Sequence, residues 1–287
     1  MIAISQKHWT GDVAELLRVG DGFVLNDVDP KGTPGYERSK THAAEDLASG
    51  AKQLDEYQER LFAQSRVDAT NASVLLVLQA MDSAGKGGIV RHVVGSVDPQ
   101  GVAITAFKKP TEEELAHDFL WRVDRRVPQP GIIGVFDRSH YEDVLIGRVR
   151  ELAPADEIER RYGAINEFEK RVTDAGTRIV KVMLYISPDE QKERLMERLE
   201  RPDKHWKYNP GDVDERELWP KYMAAYQTVF ERTSTDHAPW FVVPANRKWY
   251  ARIAVQHLIL EALEEIDPQW PAATYDVEAE KQRLAAT

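Results

Sequence analysis

One stretch constrains the fold of this chain more than any other: Ser73-Val74-Leu75-Leu76-Val77-Leu78, followed at once by Gln79-Ala80-Met81-Asp82-Ser83-Ala84-Gly85-Lys86-Gly87-Gly88. The first part does not alternate between apolar and polar residues, so both faces of the strand must be buried. That is the pattern of a central strand in a parallel sheet covered by helices. The small residues after it turn the chain, and beyond Lys86 the pattern becomes helical. A strand that turns through Ala84, Gly85, Gly87 and Gly88 into a helix gathers backbone N–H groups around one point. A lysine at Lys86 then reaches terminal phosphate oxygens. The plainer alternative is a glycine-softened strand–helix turn carrying a surface lysine.

The rest of the chain repeats the alternation. A helical pattern covers about 41–64 before the first strand, and strands fall at 102–107, 131–136, 178–186 and 240–243. Helices lie between them: one after Lys86, one opened by Thr111 with Glu114 three residues on, and others at about 155–175, 189–200, 214–233 and 248–266. The Thr/Glu spacing is that of a capping box. Strands separated by helices in this way form βαβ units. The expected fold is a three-layer α/β/α with a mostly parallel central sheet of about five strands and a helical lid. Residues 1–70 read as an N-terminal arm and helix packing on the core, 71–266 as the core with its lid at about 189–235, and 267–287 as a tail. Asp27 to Gly35 is rich in turn residues and reads as loop.

The loop departs from the G-x-x-x-x-G-K-[ST] pattern in two places. Ala80 stands where the first glycine belongs, and Gly87 stands where a Mg²⁺-binding hydroxyl belongs. Asp82 inside the loop is the oxygen that can replace the hydroxyl. A carboxylate among phosphate-cradling amides is repelled by the phosphates unless a cation lies between them. A second apolar strand ends in Phe136-Asp137-Arg138-Ser139-His140-Tyr141-Glu142-Asp143. At the carboxyl end of a parallel strand Asp137 faces the same crevice and reads as a metal ligand. Arg138, a planar multidentate hydrogen-bond donor, reads as a phosphate-binding residue, against the alternative of a strand-capping Asp137 paired with its neighbour. Trp121, Trp206 and Trp219 read as packing residues, and His92, His117 and His140 as packing or hydrogen-bonding residues. Glu142 and Asp143 read either as acids supporting the site from behind its ligands or simply as acids at a helix N-terminus.

Arg194, Arg198 and Arg201 recur at helical spacing, so they share a face, and Lys204 and Lys207 follow directly. Glu193, Glu197 and Glu200 lie on the adjoining stripe, which leaves a salt-bridged, solvated helix as the alternative for the arginines. For Lys204 and Lys207 the expectation is phosphate contact in a lid that closes over a transferring group. Arg122, Arg125 and Arg126 form another basic cluster, placed to track an extended anion. With 38 Lys and Arg against 48 Asp and Glu the net charge is −10, which excludes broad adhesion to nucleic acid or anionic membranes. The absence of cysteine excludes disulfides, thiolate metal sites and a cysteine nucleophile. Met1 to Lys7 is too short and too soon interrupted for a secretory signal, so the cytoplasm is the expected compartment.

Taken together, the segments Leu78 to Gly88, Phe119-Leu120-Trp121-Arg122, Phe136 to Asp143, Lys204-His205-Trp206-Lys207 and Ala238-Pro239-Trp240 make the chain resemble the family-2 polyphosphate kinases over about residues 25–255. The resemblance implies a P-loop kinase-like fold with a lid, and transfer of phosphoryl groups between inorganic polyphosphate and nucleotides, with Mg²⁺, or Mn²⁺ in its place. The nucleotides it implies are AMP or ADP, with guanine nucleotides as an alternative base. It also implies a homo-oligomer, a tetramer. In that family an Asp is expected at Asp82; Gly is common at the place of Ala80, Asn at that of Asp137 and Asp at that of Asn246. The Ser-His-Tyr-Glu-Asp-Val string is similar to the subgroup acting on AMP, or on AMP and ADP. The catalytic residues implied are Asp82, Lys86, Asp137 and Arg138, the first and third holding metal. The phosphate-binding set adds Ala84, Gly85, Gly87, Gly88, Arg122, Arg125, Arg126, Arg201, Lys204 and Lys207. The competing readings are an ATP-dependent nucleotide or nucleoside kinase, which should keep the loop Ser/Thr, and a non-catalytic nucleotide switch, which needs no basic lid.

Overall fold

The computed structural model describes residues 8–287; the Met1–Lys7 segment read above for a signal lies outside them. The chain opens with α1 (Val13–Leu17) and the long α2 (Lys40–Ser65), then enters β1 (Ser73–Gln79), the phosphate loop and α3 (Lys86–His92). After β2 (Val102–Ala106) come two single-turn helices, α4 (Glu112–Leu115) and α5 (Trp121–Asp124), and then β3 (Ile133–Asp137). The short α6 (Ile146–Val149) and α7 (Ala155–Asp174) lead to β4 (Thr177–Tyr185). The segment before the last strand holds α8 (Pro188–Glu200), α9 (Gly211–Glu217) and α10 (Trp219–Thr233). The chain ends with β5 (Trp240–Pro244), α11 (Lys248–Ile266) and α12 (Val277–Ala285).

The five strands form one all-parallel sheet in the order β2-β3-β1-β4-β5. Burial follows that order. Every residue of central β1 is buried, whereas the edge strand β2 leaves Ile104 53% exposed. Along β1 the side chains serve opposite cores. Val74, Leu76 and Leu78 pack with α2, α3 and α11, while Leu75 and Val77 pack with α7 and α10. This is why the run could not alternate in the sequence: both its faces are core. Helix α11 lies between the sheet and α2 and is buried nearly all round, from Tyr250 to Leu263. The two helices approach closely at Gly50, where a Cβ would stand 2.2 Å from Gln256 Oε1.

Two element boundaries differ from the sequence reading. The expected helix over 214–233 is split at Leu218, because Pro220 lies in the first turn of α10 and cannot continue a helix from before it. The Thr111 capping box forms on both sides, yet the helix it opens ends after Leu115. Among the described residues no helix is long and apolar enough to cross a membrane.

Candidate active site

The site is built at the carboxyl ends of β1 and β3, which are paired in register so that Leu78 lies beside Asp137. The phosphate loop leaves β1 there and turns with Ser83 at φ +65° and Gly85 at φ +121°. The second value lies where only glycine sits without strain, so Gly85 is required by the turn itself. Lys86 begins α3, and among the described residues its Nζ donates only to Ala80 O, at 3.4 Å. Ala84 N and Gly88 N are bonded within the loop, to Met81 O and Gly85 O, and the loop lines the cavity with Lys86.

Beneath the loop lies Arg194, 5% exposed. Its Nη1 donates to Ser83 O at 3.1 Å and Ala84 O at 2.8 Å, its Nη2 to Ala245 O at 2.6 Å and Asn246 O at 3.1 Å. Its Nε donates to Glu190 Oε1 at 2.7 Å. One guanidinium thus fastens the loop to the end of β5 and the start of α8, using the planar fork that a lysine lacks. Burial pulls its pKa below the usual arginine value, opposed by Glu190. Gln191, on the same helix, donates to Asp82 O at 2.9 Å. Asn246 bonds through both side-chain atoms to Ser187, so it braces this junction.

Arg138 sits at φ +63° just past β3, and its Nη2 reaches Asp82 Oδ1 at 3.0 Å. Partial burial disfavours its charge, but Glu142, Asp82 and Asp137 outweigh that and raise its pKa. Behind it the strand end is anchored by a buried network. Lys181 Nζ donates to Glu169 Oε2 at 2.6 Å, Tyr141 OH at 2.9 Å and Thr233 O at 2.7 Å. Glu169 also accepts from Tyr141 OH at 2.7 Å, and its Oε1 lies 3.2 Å from His140 Nε2. Burial pushes Glu169 up, yet Lys181 and His140 hold it below the usual carboxylate range.

Two cavities share Asp82, and its partner Arg138 lines the smaller of them. The larger, about 590 Å³, holds the loop, Asp82, Lys86 and Asp137. The lid contributes Arg198, Lys204, Trp206 and Lys207 to it, and α3 and α11 contribute Arg91, His92, Lys248 and Arg252. The smaller, about 220 Å³, lies on the other side of Arg138 between Glu142, Asp212, Glu215, Tyr222 and Tyr226. Burial raises the Glu142 pKa against the pull of Arg138 and Lys86. With its amide nitrogen toward the carboxylate, Gln79 donates to Glu142 Oε1 at 2.9 Å. Burial and Asp82 push Asp212 up to about 6, opposed by Arg198 and Arg138.

Asp82 and Asp137 both line the larger cavity, whereas among the described residues no three His, Cys, Asp or Glu gather as a metal site. Two hard oxygen donors fit a cation that takes its other ligands from phosphate and water, the habit of Mg²⁺ rather than of Zn²⁺. The structure thus brings together Asp82, Ala84, Gly85, Lys86, Gly87, Gly88, Asp137, Lys204 and Lys207 in one cavity, while Arg138 lines the second and reaches the first through its bond to Asp82.

It does not bring the other predicted cations there. Arg122 is buried; its Nη1 donates to Lys108 O at 2.9 Å, and Glu114 and Asp143 flank it. Arg125 stacks over Trp121, and neither it nor Arg126 lines the loop cavity. Arg201 is taken up by Glu197 and Asp203 outside the cavity. Trp206 is not a packing residue: it is 78% exposed, with Lys207 Nζ 4.9 Å from its ring centre. Of the segment read as the lid, Arg198, Lys204, Trp206 and Lys207 line the larger cavity, and Asp212, Glu215, Tyr222 and Tyr226 line the smaller. The sequence reading did not single out Arg91, Lys248 and Arg252. The one local signal was the one-turn spacing of Lys248 and Arg252 on α11.

Residues 44–271 match the family described as polyphosphate kinase 2 (PPK2). The chain belongs to this family. A relative from Meiothermus ruber, named AMP/ADP-polyphosphate phosphotransferase, is 46% identical across 87% of this chain and 91% of its own. One from Rhodopseudomonas palustris, named ADP-polyphosphate phosphotransferase, is 41% identical across 90% and 92%. A crystal structure of polyphosphate kinase 2 from Arthrobacter aurescens, 57% identical, superposes with a TM-score of 0.95 and covers 97% of this chain and 98% of that one. The fold of the polyphosphate kinase 2 family is therefore shared nearly end to end, and the family generally uses a divalent metal.

Proposed function

We propose that this chain is a phosphotransferase that moves phosphoryl groups between inorganic polyphosphate and AMP or ADP with Mg²⁺. The observation that carries the reading is the pair of cavities joined at Asp82, whose carboxylate is paired with Arg138. One is large and ringed with cations, and the other is smaller and lined by Arg138, Glu142, Asp212 and Glu215. A polyphosphate end fits the first and a nucleotide phosphate the second, so donor and acceptor meet beside Asp82 and Arg138. The family and the names of the two relatives point the same way.

The acceptor oxygen of a nucleotide phosphate is already ionised near neutral pH, so no residue has to remove a proton. Catalysis then rests on positioning and on neutralising charge along the line of transfer. Lys86 and the loop amides hold the donor end, fixed from below by Arg194. Arg138, which lines the smaller cavity and is paired with Asp82, holds the transferring group as charge builds on it. Asp82 and Asp137 hold the Mg²⁺, which when bound offsets phosphate charge. Lys204 and Lys207 keep the donor chain over the loop and, with Trp206, shield it from water.

The test mixes the protein with Mg²⁺, long-chain polyphosphate and AMP or ADP, and follows ATP by luciferase. ATP that depends on polyphosphate supports the reading. A folded preparation that forms none, or that needs ATP as phosphoryl donor to a nucleotide, overturns it.

A further inference from the structure

Arg138 extends its side chain from a backbone at φ +63°. A residue with a Cβ is disfavoured there and stays only where its neighbours over-determine the turn. On the near side the Arg138 N–H donates to Leu78 O at 3.1 Å. Beyond it, buried Ser139 donates to the Gln79 side chain through N at 3.1 Å and Oγ at 3.0 Å. The same Oγ accepts from Tyr141 N at 3.2 Å. His140 and Tyr141 then reach α7, where Glu169 Oε1 lies 3.2 Å from His140 Nε2 and 2.7 Å from Tyr141 OH. Lys181 of β4 closes the far side, donating to Glu169 Oε2, Tyr141 OH and Thr233 O. Thr233 is the last residue of α10, the helix that brings Tyr222 and Tyr226 to the smaller cavity. Glu169 and Lys181 are fully buried, and the described residues lining the two cavities include neither.

An ion pair buried this deeply adds little to stability over apolar side chains of the same size. What apolar side chains cannot supply is direction. Against its burial, Lys181 and His140 hold Glu169 below the usual carboxylate range, so both its oxygens remain acceptors. Burial and Glu169 push the Tyr141 phenol up, so it keeps its proton and donates. Each of these bonds therefore runs one way, and the set fixes where Tyr141 sits. We propose that Glu169 and Lys181 are positioning residues: acting through Tyr141 and His140, they keep Arg138 in the left-handed region with its guanidinium on Asp82. The effect on rate rests on the phosphotransfer reading of the site, whereas the placement of Arg138 does not. Because Lys181 also holds the end of α10, the same pair sets the turn carrying Arg138 and Glu142 against the helix carrying Tyr222 and Tyr226.

The test is a mutant cycle between Glu169 and Arg138. Glu169→Gln keeps the shape of the side chain and removes the charge that Lys181 faces. It should lower kcat for polyphosphate-dependent ATP formation on the order of 10²-fold, the scale of a misplaced contact to the reacting group. KM for polyphosphate should stay within about twofold, because Lys86, Lys204 and Lys207 hold the donor. In an Arg138→Ala background the same substitution should change kcat by less than about twofold, since the group it positions is gone. Equal losses in both backgrounds mark a merely structural role and overturn the proposal. If Glu169→Gln does not fold, Tyr141→Phe keeps the ring, drops the hydroxyl and runs the same cycle with a loss of about tenfold.

A crystal structure of the folded variant gives a readout independent of turnover. Residue 138 should leave positive φ and its guanidinium should part from Asp82. An unmoved Arg138 overturns the proposal whatever the activity. If wild type makes no ATP from polyphosphate but Arg138 has moved in the variant, the phosphotransfer reading fails and the positioning stands. If ATP forms and Arg138 has not moved, the positioning fails alone, and with neither ATP nor movement both fall.

Discussion

The floor and the roof of the phosphate cavity draw on the same helix and the same residue type, yet they are built in opposite ways. Arg194 and Arg201 sit seven positions apart on one face of the α8 register. Arg194 is 5% exposed and spends its donors on four backbone carbonyls and Glu190, so it is part of the scaffold. Arg201 has 47% of its side chain exposed and is held by Glu197 and Asp203 at the surface. Substrate-facing charge in the roof falls instead to Lys204 and Lys207. Spacing on a helix groups side chains, but the neighbours supplied by distant parts of the chain decide which become structure and which remain free for a ligand.

The largest expected effect breaks the floor. Arg194→Ala should lower unfolding free energy by about 3–5 kcal/mol in urea titration, since it strands loop carbonyls and Glu190 without their partner. Arg194→Lys should recover only part of it, because an ammonium cannot fork between the loop and β5. Lys86→Ala should act on the reaction alone. It should reduce kcat by about 10²–10³-fold with the thermal midpoint kept, because among the described residues Nζ has only the long contact to Ala80 O. Equal stability losses in the two variants would erase the distinction between scaffold and ligand-facing charge.

In the roof, Lys204→Ala or Lys207→Ala should raise KM for polyphosphate about tenfold, an effect that shrinks with added salt while the midpoint holds. The smallest effect concerns pH. Asp212 carries a raised pKa of about 6, so its ionisation in the folded protein costs stability above that pH. Asp212→Asn should raise Tm at pH 8 by about 1–2 °C. The gain should vanish as pH falls through 6 toward the ordinary carboxylate range, where the native carboxyl is protonated. A Tm difference that does not vary with pH would place the strain elsewhere in the roof.

The local parts of this site were legible in the sequence. A buried strand run followed by small residues and Lys86 can hardly fold otherwise, and Asp82, Asp137 and Arg138 follow from strand ends that the sheet register sets side by side. What was not legible depends on partners far along the chain. Arg194 takes its meaning from residues 83–84 and 245–246, so its own helix could only suggest a salt-bridged surface. Arg122 looked like part of an anion track because Lys108 O and Asp143, which bury it, are placed by tertiary structure. Trp206 looked like core because its hydrophobicity says nothing of a loop that holds it outside. The break at Leu218 was readable in Pro220, since a proline in a first turn marks a helix start.

The reach of Arg194 has a consequence for how the protein is made. Its two ends join a loop laid down before residue 90 to a strand end at 245–246. Strand β5, which carries that end, pairs with β4, synthesised about sixty residues earlier. A chain still emerging from the ribosome can hold β1, β3 and most of the helices and yet lack the clamp under its phosphate loop. The capacity to grip phosphate therefore arises late in synthesis, when the last strand docks. A growing chain that meets polyanions before then presents scattered lysines and arginines, not an assembled cradle.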